Sequence, residues 1–263
     1  MTSQTERYEV ANRLAAAGCV APLEEADELI AAADEGAGPI HELVRRRVAG
    51  EPLAWVTGST RFAGQRVLVR PGVYVPRWQS EPLARRAGEL LPVHGVAVDL
   101  CTGTGAVALT MMRLRPSALV LATDLDPTAV RCALDNGVDA RLGDLAAPLP
   151  RSVTGRCDVV TAVAPYVPGP SIAFLPRDVR EHEPMGALDG GPDGTVVLRR
   201  VLSAASTLLH PGGRLLVELG GTQDKLLEGA LESAGFGPPS RLEDDEGDLR
   251  GIETRLGPAI ERR

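Results

Sequence analysis

Apolar residues recur at helical spacing along the first fifty positions of the chain. Three short apolar faces can be traced there. Helices of this length are not stable alone in water, so they must bury these faces against one another. The pattern therefore predicts a small helical domain over residues 1–49. The three faces consist of Val10, Leu14 and Ala17; Leu23, Ala26 and Ile30; and Ile40, Leu43, Val44 and Val48.

The third helical segment carries three consecutive arginines, Arg45, Arg46 and Arg47. They should lie on the outer face of the helical domain, because the apolar positions face inward. A charge run on a helix is usually a solvated face, and a surface that docks a partner is the functional alternative.

After residue 49 the pattern changes from helical spacing to short β-branched runs. These runs cover residues 54–57, 66–70 and 73–75, and glycine or proline separates them. They predict a β-hairpin within residues 50–77 that links the helical domain to the rest of the chain.

From residue 78 to residue 263, buried strands alternate with amphipathic helices, as in an α/β domain with a parallel sheet. Residues 175–194 are too polar for a core and predict a long ordered loop or lid. The pattern predicts turns at 210–213 and 243–248. Strands are expected at 96–100, 118–123, just before Asp144, at 157–163, at 214–219 and as a final edge strand at 252–256, and helices are expected to begin near 106, 127, 197 and 227.

The stretch 96–109 has the pattern of a buried strand that ends near Asp99, followed by a glycine turn and the start of a helix. Gly103 and Gly105 let the backbone turn tightly and approach a ligand. The helix that begins near Ala106 directs its unpaired N–H groups and positive dipole end at the loop. The stretch therefore predicts a cofactor site. Its candidate residues are Asp99, Cys101, Thr102, Gly103, Thr104 and Gly105.

Two classes of cofactor fit this loop, a dinucleotide and S-adenosylmethionine. The spacing Gly103-x-Gly105-x-x-Ala108, with Asp124 about twenty residues later, matches the dinucleotide fingerprint. Asp99 favours S-adenosylmethionine, because its carboxylate would repel a pyrophosphate and could pair with an amino-acid ammonium. Asp124 is placed to accept hydrogen bonds from ribose hydroxyls in either class. A glycine turn that binds no ligand is the structural alternative.

Two later strand ends extend the predicted site. Asp144 follows the third strand, where it can accept a hydrogen bond from an adenine amino group while Leu145 covers the ring. The fourth strand runs into residues 163–166. Because ligands of parallel sheets bind at the carboxyl ends of strands beside the first one, the substrate is expected there. The candidates on this side are Val163, Ala164, Pro165 and Tyr166.

Composition narrows the class of protein. Hydrophobic residues make up 44% of the 263 positions, and no run of them reaches the length of a membrane span. The polar start is not a signal peptide, so a cytoplasmic location is expected. The four cysteines have no paired spacing, which predicts reduced thiols and no metal site. The formal net charge of −7 argues against a nucleic-acid partner, which would need a basic face.

Four motifs together resemble a known family. They are GEPLAWVTG at 50–58, PGVYVPR at 71–77, the loop at 99–105, and EPMGALDGGPDG at 183–194. In these motifs the chain is similar to the release-factor glutamine N5-methyltransferases (the HemK/PrmC family) of the class I methyltransferase superfamily. The last motif is the most specific of the four.

The resemblance implies a Rossmann-like sheet of seven strands, with the last strand antiparallel and helices on both faces. It implies that residues 78–263 form an S-adenosylmethionine-dependent methyltransferase domain. The donor would lie against Gly103, Gly105, Asp124, Asp144 and Leu145. The helical domain and the hairpin would dock a release factor whose glutamine side chain is the methyl acceptor. The expected protein is a monomer that needs no metal, nucleic acid or membrane.

The chain departs from the family pattern at two places. Cys101 stands where the family loop begins with glycine, and the substrate motif asparagine-proline-proline-tyrosine is replaced by residues 163–166. In the family, the asparagine carbonyl and a backbone carbonyl hold the acceptor NH₂ group. Val163 has no polar side-chain atom for this task, whereas the Ala164 carbonyl and the Tyr166 ring remain. Three functions therefore remain possible for the chain. It could methylate glutamine slowly, it could be a diverged enzyme that methylates another nucleophile, or it could bind the cofactor with little catalysis.

Overall fold

The computed structural model describes residues 4–244 and 246–258. Its amino-terminal part contains helices α1 (Gln4–Ala16), α2 (Pro22–Asp34), α3 (Ile40–Val48) and α4 (Leu53–Thr57). The centres of the predicted apolar faces are buried in one core, whereas Ala17, Leu23 and Val48 at their ends remain exposed. Val56 of α4 packs into the same core, so these helices bury their apolar faces together.

Residues 54–57 form a helix, so the predicted strand there is wrong. Pro52 precedes the helix, and Gly58 ends it with a left-handed φ of 78°. These two residues confine a short helical segment between them, because glycine adopts that conformation readily and proline favours a helix start. Their effect outweighs the β-branched character of the intervening residues.

The hairpin is shorter than the sequence predicted. Strand β1 (Ser59–Phe62) pairs antiparallel with β2 (Gln65–Leu68), and residues 73–75 belong to no strand. Residues 73–75 are held instead by Trp55, whose indole N–H donates to the Val73 carbonyl at 2.9 Å. Trp55 therefore fixes residues 73–75, which follow the hairpin, against α4.

The arginine run of α3 is neither a free docking surface nor a wholly solvated face. Arg46 pairs with Glu51, and Arg47 pairs with Glu25 at 2.6 Å. The side chain of Arg47 is only 12% exposed. Arg45 is the exposed member and pairs within its own helix. Of the three arginines, Arg47 joins α3 to α2 through Glu25, whereas Arg45 and Arg46 pair with residues close in sequence.

The rest of the chain forms a seven-stranded sheet among the described residues. Its strands are β3 (Val96–Leu100), β4 (Leu119–Asp124), β5 (Asp139–Leu142), β6 (Cys157–Ala162), β7 (Leu209–Glu218), β8 (Ser240–Glu243) and β9 (Leu249–Arg255). The order across the sheet is β5-β4-β3-β6-β7-β9-β8. Strands β3 to β7 are parallel, and β9 runs antiparallel to both of its neighbours. The α/β fold with an antiparallel last strand is thereby confirmed.

Helices cover both faces of the sheet. One core contains residues of α9 (Val196–Leu208) and α10 (Gln223–Ser233). The other contains residues of α5 (Glu81–Leu90), α6 (Ala106–Leu114) and α7 (Pro127–Asp135) together with the hairpin. Strands covered on both faces must be apolar on both, which explains the continuous apolar run of β3 up to its acid. The helices are α5 (Glu81–Leu90), α6 (Ala106–Leu114), α7 (Pro127–Asp135), α8 (Arg177–His182), α9 (Val196–Leu208) and α10 (Gln223–Ser233).

Three predictions for the carboxyl-terminal half need correction. Residues 210–213 lie inside β7, where the register against β6 shifts, so the glycines form an irregular part of a strand and no chain reversal. Strand β9 is interior, and β8 occupies the edge of the sheet. The predicted lid at 175–194 contains the short helix α8.

Candidate active site

A cavity of about 370 Å³ opens at the carboxyl ends of β3, β4 and β6. This is the edge of a parallel sheet at which ligands bind. The hairpin, the linking segment and the lid contribute Phe62, Tyr74 and Gly186 to its wall. Among the candidate residues, the wall contains Cys101, Thr102, Gly103, Thr104, Asp124, Asp144, Leu145, Val163 and Pro165. Asp99, Gly105, Ala164 and Tyr166 lie behind it.

Four positions of the wall have left-handed backbone conformations, and one of them is Gly72 of the segment between the hairpin and α5, with a φ of 84°. Cys101 has a φ of 55°, Gly103 of 56° and Leu145 of 47°. A residue with a side chain is disfavoured there by about 1–2 kcal/mol, so the family's glycine suits position 101 better than cysteine does. Burial raises the pKa of the Cys101 thiol, which keeps it neutral. The backbone strain is concentrated around the cavity, as is typical of functional sites.

Gly103 and Gly105 of the loop differ in what surrounds them. A Cβ at Gly103 would meet no atom within 4 Å, so this position leaves space beside the cavity. A Cβ at Gly105 would lie 2.9 Å from Cγ2 of Val138 and 3.2 Å from Cβ of Ala133. Gly105 therefore lets the loop pack closely against the end of α7, and its predicted role toward a ligand stays a prediction.

Asp124 is the polar centre of the wall. Its Oδ2 accepts a hydrogen bond from the Gly103 N–H at 2.8 Å, and its Oδ1 accepts one from the Asp126 N–H at 2.9 Å. These bonds hold the carboxylate beneath the glycine loop, and each oxygen keeps a further lone pair for a ligand hydroxyl. Burial raises the pKa of Asp124, and the backbone donors oppose that rise.

Asp99 is fully buried and holds the loop from behind. Its two oxygens accept hydrogen bonds from the hydroxyls of Thr102 at 2.6 Å and Thr161 at 2.7 Å. Burial raises its pKa to about 6, although both hydroxyl donors oppose the rise. The carboxylate is not among the residues that line the cavity, and its predicted contact with a ligand ammonium stays a prediction. Thr161 is committed to its bond with Asp99, so its hydroxyl does not stand in for a polar side chain at Val163.

Asp99→Asn should make the free energy of unfolding less dependent on pH between about pH 4 and 6. The folded protein binds the Asp99 proton more tightly than the unfolded chain, so the wild type loses stability as pH rises through this window. A pKa raised by about two units corresponds to roughly 3 kcal/mol. Urea unfolding at pH 4 and pH 7 measures the effect, with the exposed Asp139→Asn as control. If the free energy of unfolding depends on pH equally in the wild type and in Asp99→Asn, the pKa of Asp99 is not raised by burial as described.

Asp144 pairs with Arg200 of α9, and both side chains line the cavity. About half of each side chain is exposed, so the pair adds little stability. An adenine amino group would have to share the Asp144 carboxylate with this arginine. Arg200 is not among the site residues predicted from the sequence. The sequence places it one helical turn after Val197, which also lines the cavity, and nothing else in the sequence indicates its position.

The segment after β6 lines the cavity on the other side of β3 from Asp124, because β4 and β6 flank β3 in the sheet. Val163 and Pro165 face the cavity, and Ala164 is buried behind them. The Tyr166 hydroxyl donates to Oε1 of Glu218 at 2.9 Å, and its backbone carbonyl accepts from Nε2 of Gln223 at 2.7 Å. Tyr166 therefore positions the segment and does not form the wall.

An ion pair that the sequence analysis missed joins the linking segment to the lid. Arg77 pairs with the buried carboxylate of Glu183, and its guanidinium lies 5.0 Å from the ring centre of Tyr74. The Val75 N–H also donates to Glu183, at 3.4 Å. Burial raises the pKa of Glu183, and Arg77 opposes the rise. Both charged residues lie in motifs that carry the family resemblance, which is the signal that could have paired them.

In the described ranges, no helix has the length and apolar character needed to cross a membrane. The same residues contain no cluster of side chains that would hold a metal ion. All four cysteines are free thiols.

No protein-family model matches the chain. A curated relative from Moorella thermoacetica, named release factor glutamine methyltransferase, is 35% identical over 262 residues, which cover 89% of this chain and 91% of the relative. A relative from Streptomyces pristinaespiralis, named 4-amino-L-phenylalanine/4-methylamino-L-phenylalanine methyltransferase, is 36% identical over 205 residues, covering 71% of this chain and 68% of the relative.

A solved structure supports the fold independently. The crystal structure of a ribosomal protein L11 methylase from Lactobacillus delbrueckii subsp. bulgaricus aligns with a TM-score of 0.51 at 18% identity. The alignment covers 72% of this chain and 84% of that one. At this identity the likeness concerns the fold alone.

Proposed function

Since the chain belongs to the release factor glutamine methyltransferase family, we propose that it methylates the side-chain amide nitrogen of a glutamine in a translation release factor. The chain is an S-adenosylmethionine-dependent methyltransferase, as its relatives are. The dinucleotide interpretation of the glycine loop is set aside on this ground.

One observation carries the proposal at the level of the site. The glycine loop with Asp124 and the segment with Val163 and Pro165 line the same cavity. A donor held at one end and an acceptor held at the other would therefore meet within one enclosed space. Methyl transfer needs the two reactants aligned, and an enzyme contributes mainly by positioning them.

The residues at the loop end fit S-adenosylmethionine. When bound, this donor supplies an activated methyl group on a sulfonium. Asp124 keeps lone pairs for ribose hydroxyls, and Leu125 and Leu145 give the wall apolar surface for a ring. The open side of Gly103 leaves space for close approach to the backbone. Asp99 would act from behind by fixing the loop through Thr102.

We propose a division of labour along the chain. Residues 1–49 would form a helical unit that, with the linking segment 50–77, docks the protein partner; helices α1 to α3 share one core, to which Val56 of α4 also belongs. Residues 78–263 would hold the donor and transfer the methyl group. The negative net charge supports a protein partner over nucleic acid, and we expect a monomer that acts in the cytoplasm.

Incubation with a bacterial release factor and isotope-labelled S-adenosylmethionine tests the function. Mass spectrometry should find one labelled methyl group on a single glutamine side chain of the release factor. A release factor with that glutamine replaced by asparagine is the matched control and should stay unlabelled. A protein that binds the donor but leaves the glutamine unmodified would contradict the proposal.

A further inference from the structure

An ion pair lies in the cavity wall on the side of the sheet that ends in β5. Arg200 of α9 donates through Nη2 to Oδ2 of Asp144, and both residues line the cavity. About half of each side chain is exposed, so neither charged group is sealed inside the protein. A guanidinium has five N–H donors and a carboxylate has two acceptor oxygens, so one bond between them leaves most of this capacity for a ligand.

The register of the sheet places this pair one strand beyond Asp124. Asp124 is the register partner of Leu142 across β4 and β5, and the N–H of Gly143 donates to the Asp124 carbonyl at 2.9 Å. Asp144 is the next residue after Gly143. The strand order β5-β4-β3-β6 therefore puts Asp144 on one side of Asp124, and the glycine loop and Val163 on the other side.

This order decides where the base of the methyl donor lies. The ribose of S-adenosylmethionine carries the sulfonium at one end and adenine at the other. If the ribose lies at Asp124 and the sulfonium points toward the segment after β6, the adenine points toward Asp144.

The turn that carries Asp144 also supplies surface for a planar base. The N–H of Ala147 donates to the Asp144 carbonyl at 3.0 Å, and Leu145 between them is held in a left-handed conformation with a φ of 47°. Leu145 lines the cavity together with Leu125 and Val197. The charged pair is therefore combined with apolar side chains from three separate elements.

The chemistry of the pair matches one edge of adenine. The amino group of adenine donates, and the ring nitrogens N1 and N7 on either side of it accept. A carboxylate only accepts and a guanidinium only donates, so Asp144 suits the amino group and Arg200 suits a neighbouring ring nitrogen. N1 belongs to the ring that is farther from the sugar. A base that points outward from Asp124 therefore brings N1, with the amino group, toward the pair.

We propose that the Arg200 guanidinium donates a hydrogen bond to N1 of the adenine of S-adenosylmethionine, while Asp144 accepts one from the adjacent amino group. Arg200 thereby selects the nucleobase of the donor, because a base without an acceptor at this position leaves the guanidinium without its second partner. The inference goes beyond the proposed methyl acceptor and holds for any nucleophile that the enzyme methylates.

Calorimetry with S-adenosylhomocysteine and two analogues tests the proposal. In the 1-deaza and 7-deaza analogues, a C–H group replaces N1 or N7 of adenine. The wild type should bind the 1-deaza analogue about tenfold more weakly than the parent, because a hydrogen bond from a charged donor is lost. Arg200→Ala should weaken the parent and the 7-deaza analogue about tenfold, but the 1-deaza analogue less than about threefold.

Arg199→Ala is the matched control. It removes the same charge from the neighbouring position of α9, where the guanidinium donates to the Leu226 carbonyl at 2.7 Å and does not line the cavity. This variant should bind all three ligands as the wild type does.

Four results would overturn the inference. Equal losses from Arg200→Ala for all three ligands would show that Arg200 acts through its charge or through the position of Asp144. A loss that disappears with the 7-deaza analogue would assign the contact to N7. Unchanged binding of the parent by Arg200→Ala would remove Arg200 from the donor site, and a wild type that binds no S-adenosylhomocysteine would remove the donor itself.

The proposed function can fail separately from this inference. The titrations contain no release factor, so a release factor that stays unmethylated contradicts the proposed acceptor and leaves the role of Arg200 to be decided by the three ligands. Conversely, equal binding of the parent by wild type and Arg200→Ala would overturn the inference while glutamine methylation could still be observed.

Discussion

Gly194→Ala should destabilise the protein by about 2–5 kcal/mol. The φ of Gly194 is +76°, and a Cβ there would overlap the carbonyl oxygen of Tyr166 and Nε2 of Gln223. Left-handed backbone adds about 1–2 kcal/mol for alanine. Overpacking against backbone typically costs a further 1–3 kcal/mol. Because the carbonyl belongs to the segment behind the cavity wall, the damage would also displace Tyr166.

Denaturant unfolding followed by circular dichroism measures this loss. Gly186→Ala is the matched control, since a Cβ at Gly186 in the same segment would meet no atom within 4 Å. The control should unfold within about 1 kcal/mol of the wild type. Similar midpoints for the two variants would show that Gly194 does not pack against Tyr166 as described.

Asp124→Ala should weaken binding of S-adenosylmethionine by between about tenfold and a thousandfold. The change removes a carboxylate whose charge-assisted hydrogen bonds to ligand hydroxyls are each worth roughly 1.5–3 kcal/mol. It also removes the acceptor that holds the Gly103 N–H at 2.8 Å, so the loop loses its fixed position. Both effects act on the donor side of the cavity.

Isothermal titration calorimetry with S-adenosylmethionine measures the affinity. Asp139→Ala removes the same charge from an exposed position of β5 and should bind the donor as the wild type does. If Asp124→Ala binds S-adenosylmethionine with a Kd within a factor of about three of the wild type, Asp124 does not contribute to the donor site.

The donor end of the site could be predicted because its information is local. The strand β3, the loop and α6 follow one another in 96–114, and each has an unambiguous pattern of apolar residues and glycines. Asp124 follows from the same repeat of strand and acid one unit later. Parallel strands place their carboxyl ends at one edge, so these residues had to meet.

The other end of the site depends on contacts between residues far apart in sequence. Tyr166 and Glu218, 52 positions apart, meet only because β6 and β7 pair in the finished fold. The ion pair of Arg77 with Glu183 likewise spans a large part of the chain. No periodicity within either segment indicates such a partner. Single charged or hydroxyl residues near a turn are too common for their spacing to be informative.

The errors in secondary structure have a similar cause. Residues 54–57 are β-branched or apolar enough for a strand, but the flanking Pro52 and Gly58 and the burial of Trp55 make them a helix. The glycines at 212 and 213 favour a turn locally, yet the backbone of Leu256 hydrogen-bonds to both of them and keeps them within β7. Tertiary contacts override weak local preferences in both places.

The segment 177–187 is contacted from two sides. On one side Arg47 lies 3.9 Å from Asp178, and the Trp55 ring meets His182 edge-on with ring centres 6.3 Å apart. On the other side Gly186 and Ala187 form part of the cavity wall. If a ligand in the cavity and a partner bound to the helical unit each stabilised this segment, each would raise the affinity for the other by the same factor, since thermodynamic coupling between two binding sites is reciprocal.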